Sequence, residues 1–303
     1  MTSVHVLLAT WNGAAHLGEQ LASLAAQEGV EWSLLWRDDG STDATVAILE
    51  RFAEAHPGRV ARLARPEGRL GAGASFLALL AAAPEGGLYA FMDQDDVWLP
   101  GKLARAAAQL GEEPMAVCTR LRLASSALAP LGLSPLPSRP PVFATLLAHN
   151  VAAGCTLVLN GAARRLALSA PLPEGGHHDW WCALLVTGCG GRLVFDPEPS
   201  LLYRQHGGNL VGGASGLRQR AGRALGRGAA GFLAPLSQHL EALRAAPLTD
   251  PARQVLAALE GLRAASPFRR LAALRRAGLA HHARGANWLL RLWVALHPLP
   301  GRK

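Results

Sequence analysis

The sequence predicts an α/β fold with a mainly parallel central sheet, flanked by helices and followed by a basic helical extension. Three observations carry this reading. Apolar runs of strand type alternate with stretches of helical spacing through about residues 1–120. Polar clusters stand directly after three of those runs, where open α/β sheets place their ligands. The charge also changes sign along the chain. Met1–Tyr203 holds 14 Lys and Arg against 19 Asp and Glu, whereas Arg204–Lys303 holds 16 against 3.

Val4–Ala9 is apolar, too short for an export signal and without a basic stretch before it, so it reads as a first strand. Helical spacing over Ala14–Ala26 leads to a strand-like Trp32–Trp36. Val46, Ile48, Leu49 and Phe52 give Asp43–Ala55 a helical apolar face, Val60–Ala64 reads as a third strand, and the Ala- and Leu-rich Ala72–Ala82 as a helix. Leu88–Met92 reads as a buried fourth strand. Pro100 stands near the start of a helix over Gly101–Leu110, a position that suits it. Ala129–Pro141 is Pro-rich and predicts an irregular excursion over the surface. Gly154–Leu159 and Leu193–Phe195 read as strands and His178–Val186 as a helix. Amphipathic helices follow near Phe232–Ala245, Pro251–Ala264, Phe268–Ala277 and Asn287–Leu296. The expected organisation is one domain over 1–212 and a basic α-helical region over 213–303.

Half the chain is apolar, which excludes general disorder. Cys118, Cys155, Cys182 and Cys189 lack the paired spacing of a zinc site and are expected to be free thiols in a reducing, cytoplasmic compartment. No segment has the ~18 consecutive apolar residues of a membrane span. The basic C-terminal part predicts contact with something anionic. It has no recognition motif or aromatic platform for nucleic acid, so an anionic membrane surface is the expected partner.

The densest chemistry is Asp93-Gln94-Asp95-Asp96, directly after the fourth strand. Three carboxylates in four positions repel one another and lose solvation unless a cation compensates them. Oxygen donors point to Mg²⁺ or Mn²⁺ shared with a diphosphate, with a solvated acidic turn as the alternative. Arg37-Asp38-Asp39-Gly40-Ser41-Thr42-Asp43 follows the second strand. A carboxylate there can accept from a base N–H or a ribose hydroxyl, while Gly40 permits a tight turn and Ser41 or Asp43 can cap the next helix. A capped turn without a ligand is the plainer reading of that stretch. Thr10-Trp11-Asn12-Gly13 follows the first strand, so three polar clusters converge on one crevice.

On Leu8–Gly13, Asp38–Asp43, Met92–Trp98, His178–Trp181 and Tyr203–Asn209 the chain resembles the family 2 glycosyltransferases of the GT-A fold, in particular the bacterial rhamnosyltransferase-like enzymes of surface-polysaccharide (O-antigen) synthesis. The resemblance spans about residues 4–212. It implies a dTDP-, UDP- or GDP-sugar donor, Mg²⁺ or Mn²⁺, inversion at the anomeric carbon, and a glycan or polyprenyl-linked acceptor, with rhamnose one candidate sugar. By position, Asp38 and Asp39 would face the nucleobase, with Thr10 and Asn12 beside them in the donor site. Asp93 would hold the ribose or support the site, Asp95 would bind the metal, and Asp96 would add a contact behind it or touch the donor sugar. Asp179 would be the general base that removes the acceptor's proton. His206 would complete the metal shell, Arg204 would bind a diphosphate oxygen, and Gly207-Gly208 would close over the donor. Where many relatives have asparagine before a glycine, this chain has Arg69, which is expected to contact the nucleotide instead. Gly71-Ala72-Gly73 lacks the third glycine of a dinucleotide fingerprint, since Phe76 stands there.

Two other classes compete. A phosphatase of the haloacid-dehalogenase type shares an Asp-x-Asp after a strand, but its cluster belongs after the first strand, and Asp38-Asp39 would go unexplained. A non-catalytic module binding sugar nucleotides or nucleic acid would not need Asp95, Asp179 and His206 together. At single residues, Asp179 could be a helix N-cap, Trp180 and Trp181 core packing, and His206 structural. In the tail, Trp288 and Trp293 are expected to enter a membrane headgroup region, holding the protein peripherally on the inner face of the cytoplasmic membrane. The alternative is that they close a helical lid.

Overall fold

The computed structural model describes residues 1–64, 66–205, 228–264 and 266–299. The expected domain boundary near 212, the Gly207-Gly208 segment and His206 lie outside the described residues.

Strands and helices alternate as β1 Thr2–Thr10, α1 Ala14–Ala25, β2 Val30–Asp38, α2 Thr45–Ala55, β3 Val60–Arg62, α3 Ala72–Ala82 and β4 Leu88–Met92. A short β5 Val97–Trp98 precedes α4 Lys102–Gln109, then come β6 Met115–Thr119, β7 Arg122–Ala124, β8 Pro130–Leu133 and α5 Phe143–Leu146. The second half adds β9 Val158–Asn160, α6 Gly161–Ala167, α7 His178–Gly188, β10 Arg192–Asp196 and β11 Leu201–Arg204. Four helices follow at Ala230–Ala242, Asp250–Glu260, Pro267–Arg276 and Arg284–Leu296.

A seven-stranded sheet runs β10-β6-β9-β4-β1-β2-β3. Its pairings are parallel except at β9, which lies antiparallel to both β4 and β6. Register decides where the polar clusters go. Thr10 is opposite Asp38, and Leu8 is opposite Met92, so the loops after β1, β2 and β4 leave the sheet at one level.

A second sheet, β5-β11-β7-β8, was not expected. Within it, Pro130–Leu133 forms an exposed edge strand in what the sequence suggested was irregular chain. Pro130 is that strand's first residue, on an edge where its missing N–H is tolerated. Gly154–Leu159 is also not strand throughout. Gly154–Thr156 forms a 3₁₀ turn and only Val158–Asn160 pairs in the sheet.

Alternation along β1 sends Val4, Val6 and Leu8 to one face, where they pack with Leu17, Leu21, Trp32 and Trp36, while Leu7 goes to the other. That second face holds Phe76, Leu79, Tyr89, Phe91 and Trp181, and its cluster continues without a break into Leu233, Leu240, Leu259, Leu274 and Leu290 of the C-terminal helices. Those helices therefore complete the core on the α7 side. Buried Arg270 fixes the last of them, donating to the Val294 and Ala264 carbonyls at 2.7 Å each. Trp293 is buried against Phe232, with ring centroids 5.6 Å apart, so of the two tail indoles only Trp288 faces outward. All four cysteines are free. Among the described residues no helix is long and apolar enough to cross a membrane.

Candidate active site

The loop after β1 is bonded directly to the loops after β2 and β4. The Thr10 hydroxyl donates to Asp38 at 3.2 Å. Asn12 adopts a left-handed backbone, φ 47°, which asparagine tolerates better than most residues. In that conformation its N–H donates to the Ser41 hydroxyl, and its side-chain oxygen accepts from the Thr42 N–H, both at 2.8 Å. The Gln94 side chain closes a ring with Trp11, accepting from its N–H at 2.9 Å and donating to its carbonyl at 3.0 Å. Gly13 permits this approach, because a Cβ there would lie 2.3 Å from the Gln94 oxygen.

Asp38 and Asp39 shape the β2 side. Asp38 accepts from the N–H groups of Gly40 and Ser41, at 3.0 and 2.8 Å. Burial alone would push the Asp39 carboxyl up. The N–H groups of Leu70 and Gly71, at 2.7 and 2.9 Å, and the Arg37 guanidinium, at 2.6 Å, outweigh it and hold Asp39 below the usual carboxylate range. Beside them lies a cleft of about 460 Å³ lined by Asp38, Gly40, Arg62, Gly68 and Arg69. Arg69 spreads its guanidinium 4.4 Å over the exposed Trp11 ring. Arg69 thus lines the cleft while stacking on the indole beside it.

At the β4 end, burial pushes Asp93 up to about 7, helped by the charges of Asp95 and Asp179. Asp93 therefore feels the carboxylate from the acidic loop and the one from α7 together. Asp96 is fully buried, and burial, then Asp93 and Asp95, drive it well above the ordinary range. One of its oxygens accepts from the Arg204 N–H at 3.1 Å, and the Cys155 thiol bonds the same carboxyl. The ligand atoms of Asp93, Asp96 and Cys155 all lie within 4.8 Å of one another. Burial keeps Cys155 a thiol, so the anionic donors here are carboxylates. Carboxylates this crowded, with half-exposed Asp95 among them pressing its charge on Asp93 and Asp96, fit a hard divalent cation. Lys102 is a buried cation behind the cluster, 3.4 Å from the Ser200 hydroxyl, and burial presses its ammonium down to about 8.

Asp179 lies in the first turn of α7 and is not its N-cap, a position that His177 occupies. One carboxylate oxygen accepts from the Gly154 N–H at 3.0 Å, the other from the Trp180 N–H at 2.6 Å, and the Asn150 side chain bonds it too. Burial outweighs these bonds and raises its pKa. A Cβ on Gly154 would fall 2.8 Å from the His178 ring and 3.4 Å from the Asp179 Cβ, so glycine is needed for this contact. His178 packs between Phe76 and Phe91, at 4.1 and 4.7 Å between ring centroids, and burial drives it to about 3. It is a neutral packing group. Trp181 is wholly buried, as core packing requires, whereas half-buried Trp180 donates to the Leu146 carbonyl at 2.7 Å.

Arg204 was expected on the diphosphate. The structure instead places it behind the acidic loop, 2% exposed, with its Nε donating to the Asp95 carbonyl at 2.8 Å and its other nitrogens to the Ser126 carbonyl and Glu19. Sequence reading also passed over Gln94 as a bridge, Glu19, Lys102 and Asn150. Lys102 left a faint signal, as the first cation after the acidic cluster. Asn150 left none.

The sequence profile of Glycosyl transferase family 2 matches residues 5–151. The dTDP-rhamnosyl transferase RfbG of Shigella flexneri is 30% identical over 227 residues, covering 68% of this chain and 73% of that protein. The chain belongs to glycosyltransferase family 2. An uncharacterized glycosyltransferase of Nostoc sp. is 33% identical over 102 residues, 34% of this chain and 31% of that one. Among solved structures, S. aureus TarS in complex with UDP-GlcNAc superposes with a TM-score of 0.59 at 18% identity, over 84% of this chain and 70% of that one. The mannosyltransferase PcManGT of Pyrobaculum calidifontis, solved with GDP-Man and Mn²⁺, gives 0.56 at 20% identity, over 97% and 79%. These likenesses establish the GT-A fold for this family 2 glycosyltransferase. Its acidic cluster follows β4 and its Asp38-Asp39 stretch is built into the same crevice, which the phosphatase reading left unexplained.

Proposed function

We propose that this glycosyltransferase moves rhamnose from a dTDP-linked donor, with inversion, to a hydroxyl of a polyprenyl-linked glycan in surface-polysaccharide synthesis. One observation carries the chemistry: Asp179 of α7 stands close enough to Asp93 of the donor-side acidic loop for its charge to raise the Asp93 carboxyl across one crevice. The 30% identity to a dTDP-rhamnosyl transferase supports the choice of sugar and nucleotide.

In this reading Thr10, Asn12, Asp38 and Asp39 frame the base and ribose side, with Arg69, stacked on Trp11, lining the cleft beside them. Asp93 holds the ribose, and Arg204 orders the Asp95 loop. Asp95, with His206, would hold Mg²⁺ or Mn²⁺, which when bound supplies Lewis-acid stabilisation of the departing diphosphate. Asp179 accepts the acceptor hydroxyl's proton as the oxygen attacks the anomeric carbon. The new glycosidic bond forms while the bond to the diphosphate breaks. A carboxylate raised by burial is a stronger base than one in water, which suits this step near neutral pH. The proposed setting is the cytoplasmic face of a membrane, where a lipid-linked acceptor would be met.

Thermal shift against dTDP-, UDP- and GDP-sugars with and without Mn²⁺, followed by NMR of the product anomer, tests the reading. Selective stabilisation by dTDP-rhamnose with Mn²⁺ is expected. Preference for another donor overturns the sugar assignment, and metal-independent turnover overturns the metal's role.

A further inference from the structure

The helices Pro267–Arg276 and Arg284–Leu296 bury one side each; the first turns Phe268 and arginines outward, and the second leaves an apolar stripe uncovered. Leu274 and Ala273 of the first, and Leu290, Trp293 and Val294 of the second, face the core. Outward stand Phe268 at 84% exposure, Trp288 at 63%, Leu296 at 62% and Leu292 at 37%. Trp288, Leu292 and Leu296 recur every fourth residue, so they form one stripe. A shallow groove runs between the helices, with Leu271, Leu292 and Ala295 in its walls and Arg275 and Arg291 on its lining.

We propose that this surface docks on an anionic lipid bilayer. Charge selects the occupant. From Gly261 to Lys303 the chain has nine Lys and Arg and no Asp or Glu; Arg270 is buried and Arg263 pairs with Glu260, which leaves seven for this surface and the chain beyond it. A second copy seated here would set arginine against arginine, which disfavours self-association. A protein partner would need cavities to receive the protruding rings. A bilayer needs none, because its headgroup region accepts an indole and leucines while arginines pair with lipid phosphates.

The location also suits the reaction. His281, just before the second helix, lies with its ring centroid 4.3 Å from that of His149, and the neighbouring Asn150 bonds the Asp179 carboxylate. Docking would thus hold the base side of the crevice near lipid-borne hydroxyls. This deepens the reading of the acceptor given above, but binding is measured without any substrate, so the two stand or fall separately.

The test is flotation of the full chain with phosphatidylcholine vesicles and with vesicles containing phosphatidylglycerol, at low and high salt. The wild type is compared with a Trp288→Ser/Leu292→Ser double variant and an Arg275→Glu/Arg291→Glu double variant. All four positions lie outside the catalytic crevice, and donor hydrolysis in solution should be unchanged, which reports intact folding. Binding to anionic vesicles is expected, weakened on the order of tenfold or more by either variant and by salt. Negligible flotation with every vesicle, equal binding to neutral lipid, or variants that bind like the wild type would each overturn the proposal. So would a concentration-dependent dimer that the Trp288→Ser/Leu292→Ser change abolishes, since the surface would then belong to a second copy.

Discussion

The Nε of Arg204 donates to the backbone carbonyl of Asp95 at 2.8 Å, while the Arg204 N–H donates to the Asp96 carboxylate at 3.1 Å. One residue of β11 thus fixes two positions of the acidic loop, and through Glu19 it joins that loop to α1. We expect Arg204→Met to weaken the apparent Mn²⁺ affinity in donor hydrolysis by about 10–100-fold, as loss of a group that orients a ligand loop does. Arg204→Lys should recover part of it. A Mn²⁺ titration alongside a thermal melt checks this, because a purely structural role would lower the melting temperature and leave the metal dependence of the folded fraction unchanged.

Asp95→Ala should abolish metal-dependent transfer while the fold survives, since the side chain lies at the half-exposed mouth of the crevice. The measurement is product formation in EDTA-treated buffer with added Mn²⁺. Wild-type turnover by the variant would remove Asp95 from the site.

Asp179→Asn keeps the side chain's size and its place against Gly154 but removes proton acceptance. The rate constant should fall about 10²–10⁴-fold with donor affinity retained. Because burial raises the Asp179 pKa, the acid limb of kcat/KM in the wild type should lie above the ordinary carboxylate value of about 3.9, with activity falling as pH falls through it. A pH–rate profile of both proteins decides the matter. An unchanged rate constant with weakened donor binding would move Asp179 to the donor side.

His239 is buried against Trp180 and Trp181, and burial, then His177, presses it down to about 4. Its folded value lies below the unfolded value of about 6.5. The unfolded chain therefore takes up the proton first, and the stability from this group is complete above about pH 6.5 and lost as pH falls toward 4. The loss is on the order of 3 kcal/mol across that window. His239→Phe should flatten the acid side of the stability curve, which chemical denaturation at a series of pH values would show. An unaltered pH dependence would mean the ring is already solvated.

The order of β1 to β4 and the three strand-end clusters were legible in the chain, because each rests on residues adjacent in sequence: an apolar run, then a turn with polar side chains. Asp93-Gln94-Asp95-Asp96 could be placed at a strand mouth from Leu88–Met92 alone. Tertiary structure decided what those clusters touch. The antiparallel β9, the second sheet and the edge strand from Pro130 depend on pairings between distant segments, and short strands carry too little periodicity to announce them. Lys102 behind the acids, Asn150 on Asp179 and the inward turn of Arg204 are likewise products of packing. Trp288 and Trp293 make the contrast sharpest. Five residues apart on one amphipathic helix, they look alike in sequence. Helical spacing sets them about 140° apart, so they cannot share a face; which face meets the core is decided by packing, and it is Trp293 that lies against Phe232 while Trp288 stays at the surface.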